Sequence, residues 1–207
     1  MKLLLTSFTP SADHDQALVK LVGKPLQDIK MAYIENAYDP YDDEASLIEG
    51  REILKNKGYN FELVDLRNWT QDNTGLYEKL ASKDLFLLTG GNPFYLRSLM
   101  KETGADKMII DLVKQGKVYV GASAAAVVAG PTLRHFDNQD NPNEAKEIIW
   151  EGLNLTPIVL VPHVDNADFG AGCREAGELC KQDGYPTQWI TDTQAFLING
   201  DEQRVLD

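Results

Sequence analysis

Six short runs of aliphatic and β-branched residues recur along the chain, and longer stretches with helical spacing lie between them. The runs are Lys2–Ser7, Lys30–Glu35, Asn60–Asp65, Asp84–Leu88, Val118–Gly121 and Ile158–Pro162. This rhythm constrains the fold more than any other feature. Strands that alternate with helices close into a mostly parallel sheet with helices on both faces. Leu85-Phe86-Leu87-Leu88 and Ile158-Val159-Leu160-Val161 are apolar without alternation, as strands buried on both sides should be. Asp43–Lys57 places Ala45, Leu47, Ile48, Ile53 and Leu54 at helical spacing and stops at Gly58. Phe94–Gln115 is a second helical stretch, broken at Gly104, and Ala167–Gln182 is a third. Toward the end come strand-like pieces at Gln188–Ile190, Ala195–Ile198 and Gln203–Leu206, with Asn199-Gly200-Asp201 predicting a hairpin at the sheet's edge. The polar segment Arg134–Lys146 reads as a long loop.

A chain of 207 residues suits one domain of this kind, spanning residues 1–207, and 43% apolar residues are enough to fill its core. The expected fold is therefore a single-domain α/β architecture with a mostly parallel central sheet. A net charge of −12 argues against nucleic acid or an anionic membrane surface as partner. No apolar run approaches the roughly 20 residues needed to span a bilayer. Met1–Leu5 is cut short by Thr6 and Ser7, so it reads as a first strand and not as a targeting signal. Cys173 and Cys180 are two helical turns apart, about 10 Å, too far for a disulfide. Both are expected as free thiols on a buried helix face, in a cytoplasmic protein. His14 and His135 lie in polar stretches and read as surface residues.

In open parallel sheets, functional groups gather beyond the carboxyl ends of the strands. Three runs end in residues suited to acyl transfer. Lys117–Ser123 is a strand running into a serine, and Ala124–Ala129 continues as helix, the strand-turn-helix form of a nucleophile elbow. Such a turn lifts the serine hydroxyl clear of the backbone, and the N–H of Ala124 is aimed at a developing oxyanion. Thr89-Gly90-Gly91-Asn92 follows a buried strand, where paired glycines let backbone N–H groups face a ligand. Val159-Leu160-Val161-Pro162-His163 brings a histidine to a strand end, and a serine requires such a base. The imidazole in turn needs an acid. Asp137, Asp140, Glu144 and Asp165 are near it in sequence.

Thr89-Gly90-Gly91-Asn92-Pro93-Phe94, Val120-Gly121-Ala122-Ser123-Ala124 and Pro162-His163-Val164-Asp165 together resemble the dipeptidase E family. These are serine peptidases that include aspartyl dipeptidase and cyanophycinase. The resemblance covers most of the chain in the right order. It implies a class I glutamine amidotransferase-like fold in which serine replaces the nucleophilic cysteine. It also implies Ser123 as nucleophile, His163 as general base, and Gly91 and Ala124 as oxyanion donors. The acid falls in the loop after the elbow helix, where Asp137 and Asp140 both qualify, and Asp140 is preferred for its spacing from His163. Ala125 departs from the family's Ser-Ala-Gly, and its methyl would press on the neighbouring strand. No segment matches the pocket by which aspartyl dipeptidases select an N-terminal aspartate.

The expected activity is hydrolysis of a short peptide by a serine-type peptidase that needs no metal and no organic cofactor. A non-catalytic member of the fold that binds a small ligand or a protein is the alternative, with Ala125 as its support. Glutamine-dependent amide transfer is disfavoured, because cysteine is the nucleophile there. Monomer and homodimer are both compatible with the sequence. Two structural expectations follow. The runs ending at Leu88, Gly121 and Pro162 should be neighbouring parallel strands of one sheet, and Ser123 should have positive φ.

Overall fold

The computed structural model describes residues 1–8 and 10–207. Its first half alternates strictly: β1 (Lys2–Thr6), α1 (Ala12–Val22), β2 (Lys30–Ile34), α2 (Glu44–Asn56), β3 (Asn60–Leu63), α3 (Leu76–Ala81) and β4 (Leu85–Leu88). Two helices follow, α4 (Pro93–Thr103) and α5 (Ala105–Lys114), and then β5 (Val118–Ala122) runs into the short α6 (Ala124–Val128). The chain ends with β6 (Val159–Val161), α7 (Gly170–Gln182), β7 (Thr187–Trp189), β8 (Ala195–Asn199) and β9 (Glu202–Leu206).

Seven strands form the central sheet in the order β3-β2-β4-β5-β1-β8-β9. The five from β3 to β1 are parallel, and β8 and β9 add an antiparallel hairpin at one edge. Asn199 pairs with Glu202, which leaves Gly200-Asp201 as the two-residue turn, with Gly200 at φ 63°. Successive residues of each central strand point to opposite faces, and the core divides accordingly. Leu3, Leu5, Phe86, Leu88 and Tyr119 pack with α3 to α7 on one face. Leu4, Met31, Leu87 and Val120 pack with Leu18 and Leu21 of α1 and Leu54 of α2 on the other. Helices therefore cover both faces. Gly104, at φ 75°, divides the long helical stretch into α4 and α5. Among the described residues, no helix is long and apolar enough to cross a membrane.

Two expectations need correction. The strand ending at Pro162 is not in the central sheet; β6 pairs in parallel with β7 as a separate two-stranded sheet. Its place beside the central strands is filled because β8 pairs with β1 and β9 closes that edge. Second, His14 is not a surface residue, whereas His135 is half-exposed and sits 2.8 Å from Asp183. The helix α2 forms over the expected stretch, burying only Leu54 while Ile48 and Ile53 face solvent at 46% and 39% exposure.

His14 stands at the third position of α1, where Ser11 and His14 cap the helix reciprocally: Ser11 Oγ accepts from the His14 N–H, and His14 Nδ1 accepts from the Ser11 N–H. The latter bond requires an unprotonated Nδ1. Burial lowers the pKa of His14, assisted by the positive charge of Lys57 and opposed by Asp15 and Asp13. The unfolded chain consequently binds the proton more readily, so stability is full above the ordinary histidine pKa and falls as pH drops below it. Between pH 7.5 and pH 5.5, the wild type is expected to lose about 2–4 °C more in Tm than His14→Asn, the loss set by one broken capping bond. Parallel pH profiles of thermal unfolding check this.

Candidate active site

The parallel strands all present their carboxyl ends to one side, and there the site assembles. Ser123 follows β5 directly and is the N-cap of α6, at φ 48° and ψ −112°. A non-glycine residue in this region stores strain of about 1–3 kcal/mol, and the surrounding structure must hold it. The Ser123 N–H donates to the Thr6 carbonyl of β1 at 2.8 Å, while the Ser123 carbonyl accepts from Ala126 and Val127. The turn is tight because Gly121 lets α6 approach β5: a Cβ there would lie 2.7 Å from the Ala125 carbonyl oxygen. Tyr119 donates its hydroxyl to that same carbonyl at 2.7 Å. The close contact at this turn is thus made by the backbone of Ala125, and the residue itself is fully buried in the apolar core. Ser123 keeps its positive φ with alanine at position 125.

His163 Nε2 lies 2.9 Å from Ser123 Oγ, and His163 Nδ1 lies 2.7 Å from Asp192 Oδ1. The carboxylate fixes the tautomer: Nδ1 carries the proton, and Nε2 is left to accept one. His163 is buried, has φ 59°, and donates its backbone N–H to Ser7 Oγ at 3.0 Å. Ser7 Oγ in turn donates to the Thr191 carbonyl, tying the end of β1 to the ends of β6 and β7. The rings of Phe8 and Phe169 meet the imidazole edge-on, at 4.6 and 5.5 Å between centroids. Asp192 is held on both sides, since Asn166 Nδ2 donates to its Oδ2 at 2.7 Å and its own N–H donates to Asp165 Oδ1 at 2.8 Å.

Asp140, expected beside the imidazole, is not there. It accepts a hydrogen bond from the Tyr41 hydroxyl at 2.5 Å and lines the cavity in front of Ser123. Asp192 occupies the Nδ1 position because it follows β7, whose parallel pairing with β6 brings the ends of both strands to the same place. The other nearby acids are also elsewhere. Asp165 supports the Asp192 backbone, while Asp137 and Glu144 are exposed. Asp192 and Ser7 were missed in the sequence, although Asp192 sits at a strand end like the three residues that were found.

Gly91 stands at φ 124°, and a Cβ on it would fall 2.2 Å from the Ala37 carbonyl oxygen, so no other residue fits. The loop is pinned on its far side by Asn92, which donates its N–H to Ala37 and whose side chain caps α4 through the N–H groups of Phe94 and Tyr95. Gly90 packs against Ser123, where a Cβ would come within 3.1 Å of the serine's. Among the described residues, the N–H groups of Gly91 and Ala124 have no backbone acceptor. In front of Ser123 opens a cavity of about 620 Å³, walled by Tyr33, Tyr38, Tyr41, Phe136 and Phe169. Cys173 also lines it as a free thiol, its pKa pushed up to about 11 by burial and by the carboxylates of Asp140 and Asp192.

The family model of peptidase family S51 matches residues 3–206. The chain belongs to peptidase family S51. The family places it among the serine-type peptidases. One relative, an uncharacterized peptidase of Listeria monocytogenes, is 33% identical over 159 residues, 74% of each chain. Peptidase E of a Nostoc species is 28% identical over 144 residues, 70% of this chain and 54% of its own length. An uncharacterized peptidase of Listeria innocua is 34% identical over 108 residues, and that match spans about half of each chain, 52%. A crystal structure of a protein assigned as a peptidase E, from Listeria monocytogenes EGD-e, shares the fold at a TM-score of 0.84 and 27% identity. That match covers 99% of this chain and 97% of the other.

Proposed function

We propose that this S51 member hydrolyses an amide bond of short peptides, with Ser123 as nucleophile, His163 as general base and Asp192 as the acid that orients it. The observation that carries the reading is the continuous pair of hydrogen bonds, 2.9 Å from serine to imidazole and 2.7 Å from imidazole to carboxylate, on a serine in strained geometry. His163 Nε2 takes the Ser123 proton as Oγ attacks the substrate carbonyl, and the imidazolium that forms is stabilised by Asp192. The turn after β5 then acts as a nucleophile elbow, and the N–H groups of Gly91 and Ala124 receive the oxyanion. As the tetrahedral adduct collapses, the leaving amine carries away the proton from His163. Water, activated by the same nitrogen, then releases the acyl product and restores Ser123.

A cavity of about 620 Å³ falls in the range that encloses small ligands, which favours peptides of a few residues over folded protein. The test is a panel of dipeptides and tripeptides incubated with the wild-type protein, with products read by mass spectrometry. Release of free amino acids or dipeptides at rates well above the buffer control is expected. An unchanged panel, together with no covalent labelling of Ser123 by an acylating or phosphonylating probe, would favour the non-catalytic alternative.

A further inference from the structure

The cavity beside Ser123 carries negative charge and no free cation. Apart from His163, its charged lining residues are Glu49 and Asp140, and no described lysine or arginine lines it. A second hollow of about 360 Å³ shares Tyr38 and Tyr41 as walls and is lined by six further carboxylates, among them Asp39, Asp42 and Asp43. The two arginines in that hollow are already matched. Arg51 Nε donates to Glu35 at 3.0 Å, and Arg67 pairs with Asp65 at 2.7 Å and with Asp39 at 3.5 Å.

Asp140 is the carboxylate placed to touch a substrate. Tyr41 occupies its Oδ1, and its Oδ2 receives no hydrogen bond among the described residues. Burial raises its pKa, so a cation brought alongside would favour its charged form. Next to it the Tyr38 and Tyr41 rings stand 5.4 Å apart with their planes tilted by 53°. Aromatic faces beside a half-buried carboxylate suit an ammonium group, which gains from both the ring quadrupole and the charge.

We infer that this site selects short peptides that present an alkylammonium group, held by Asp140 and the Tyr38–Tyr41 rings, and rejects peptides with an N-terminal aspartate. The inference rests on the peptidase reading above and narrows its substrate class. The chemistry is shared by a free α-ammonium and by a lysine side chain. An N-terminal aspartate would set a third carboxylate beside Asp140 and Glu49 with no cation to receive it.

The test compares kcat/KM for four substrates, Lys-Leu, Met-Leu, N-acetyl-Met-Leu and Asp-Leu, on wild type and Asp140→Asn. In the wild type, Lys-Leu is expected to exceed Asp-Leu by at least 30-fold. If the α-ammonium is the group recognised, Lys-Leu and Met-Leu are cleaved alike and both far exceed the acetylated peptide. A lysine side chain as the recognised group instead sets Lys-Leu above Met-Leu. In either case Asp140→Asn shrinks the preference at least tenfold, mainly through KM, which a purely structural role would not do selectively. A wild type that prefers Asp-Leu or the acetylated peptide overturns the inference, as does Asp140→Asn with unchanged selectivity. A fluorophosphonate probe on the wild type separates the two levels. Labelled Ser123 with the wrong selectivity sinks this inference alone, whereas failure to label, with no turnover, takes the peptidase reading down with it.

Discussion

Ser123→Ala is expected to reduce peptide hydrolysis by at least about 10⁴-fold, because removal of a nucleophile that works as a unit with its base costs nearly all of their joint contribution. The stability of the variant should stay within about 1 kcal/mol of wild type. Alanine is as poorly suited as serine to φ 48°, so the strain of the turn is not relieved, and His163 Nε2 loses its partner. Ser123→Gly separates the two effects. Glycine adopts this φ at little cost, so that variant should be equally inactive yet melt higher than Ser123→Ala. Hydrolysis of the dipeptide panel and thermal unfolding of the three proteins, measured side by side, check both halves. If Ser123→Ala retained more than a tenth of wild-type activity, chemistry would have to lie at another residue.

The second large effect is expected at Asp192. Asp192→Asn leaves the size of the side chain unchanged but can present an amide N–H to His163 Nδ1, which then carries its proton on Nε2 and cannot accept one from Ser123. A loss of about 10⁴-fold in kcat is expected, in line with the same replacement in other serine proteases. Because Asn166 and Asp165 hold the Asp192 side chain and backbone from outside, the variant should fold normally. Asp140→Asn, in contrast, should change which peptides are cleaved without this collapse in kcat. Kinetics of the two variants on one favourable substrate discriminate between them. Equal and severe loss of kcat in both would return Asp140 to the role first expected of it.

Much of this arrangement was legible in the sequence. The strand-like runs marked every strand of the central sheet within a residue or two, and the rule that ligands meet strand ends pointed to Ser123, His163 and the Gly90-Gly91 loop, which the structure brings together. Asp192 obeys the same rule. It escapes the sequence reading because the resemblance points to the loop after the elbow helix for the acid and Gln188–Ile190 is given no direction, although β6, α7 and β7 repeat the strand-helix-strand pattern that predicts a parallel pair. With β7 running the right way, its end would have been a fourth candidate. The separation of β6 and β7 from the main sheet was harder to foresee. It depends on β8 pairing with β1, a long-range pairing that apolar pattern and turn residues do not encode. Burial of His14 was hidden for a different reason: a histidine inside a capping pair looks like any polar residue before an amphipathic helix.

The central claim is that Ser123 is an activated nucleophile. It is tested most directly by treating the protein with a fluorophosphonate probe and mapping the adduct by peptide mass spectrometry, in wild type and in His163→Ala. The account predicts one phosphonyl group on Ser123 in the wild type and labelling slowed by several orders of magnitude in the variant, because the serine hydroxyl is scarcely nucleophilic without its base. An unlabelled Ser123 in wild-type protein that still cleaves peptides, or labelling that persists undiminished in His163→Ala, would contradict it.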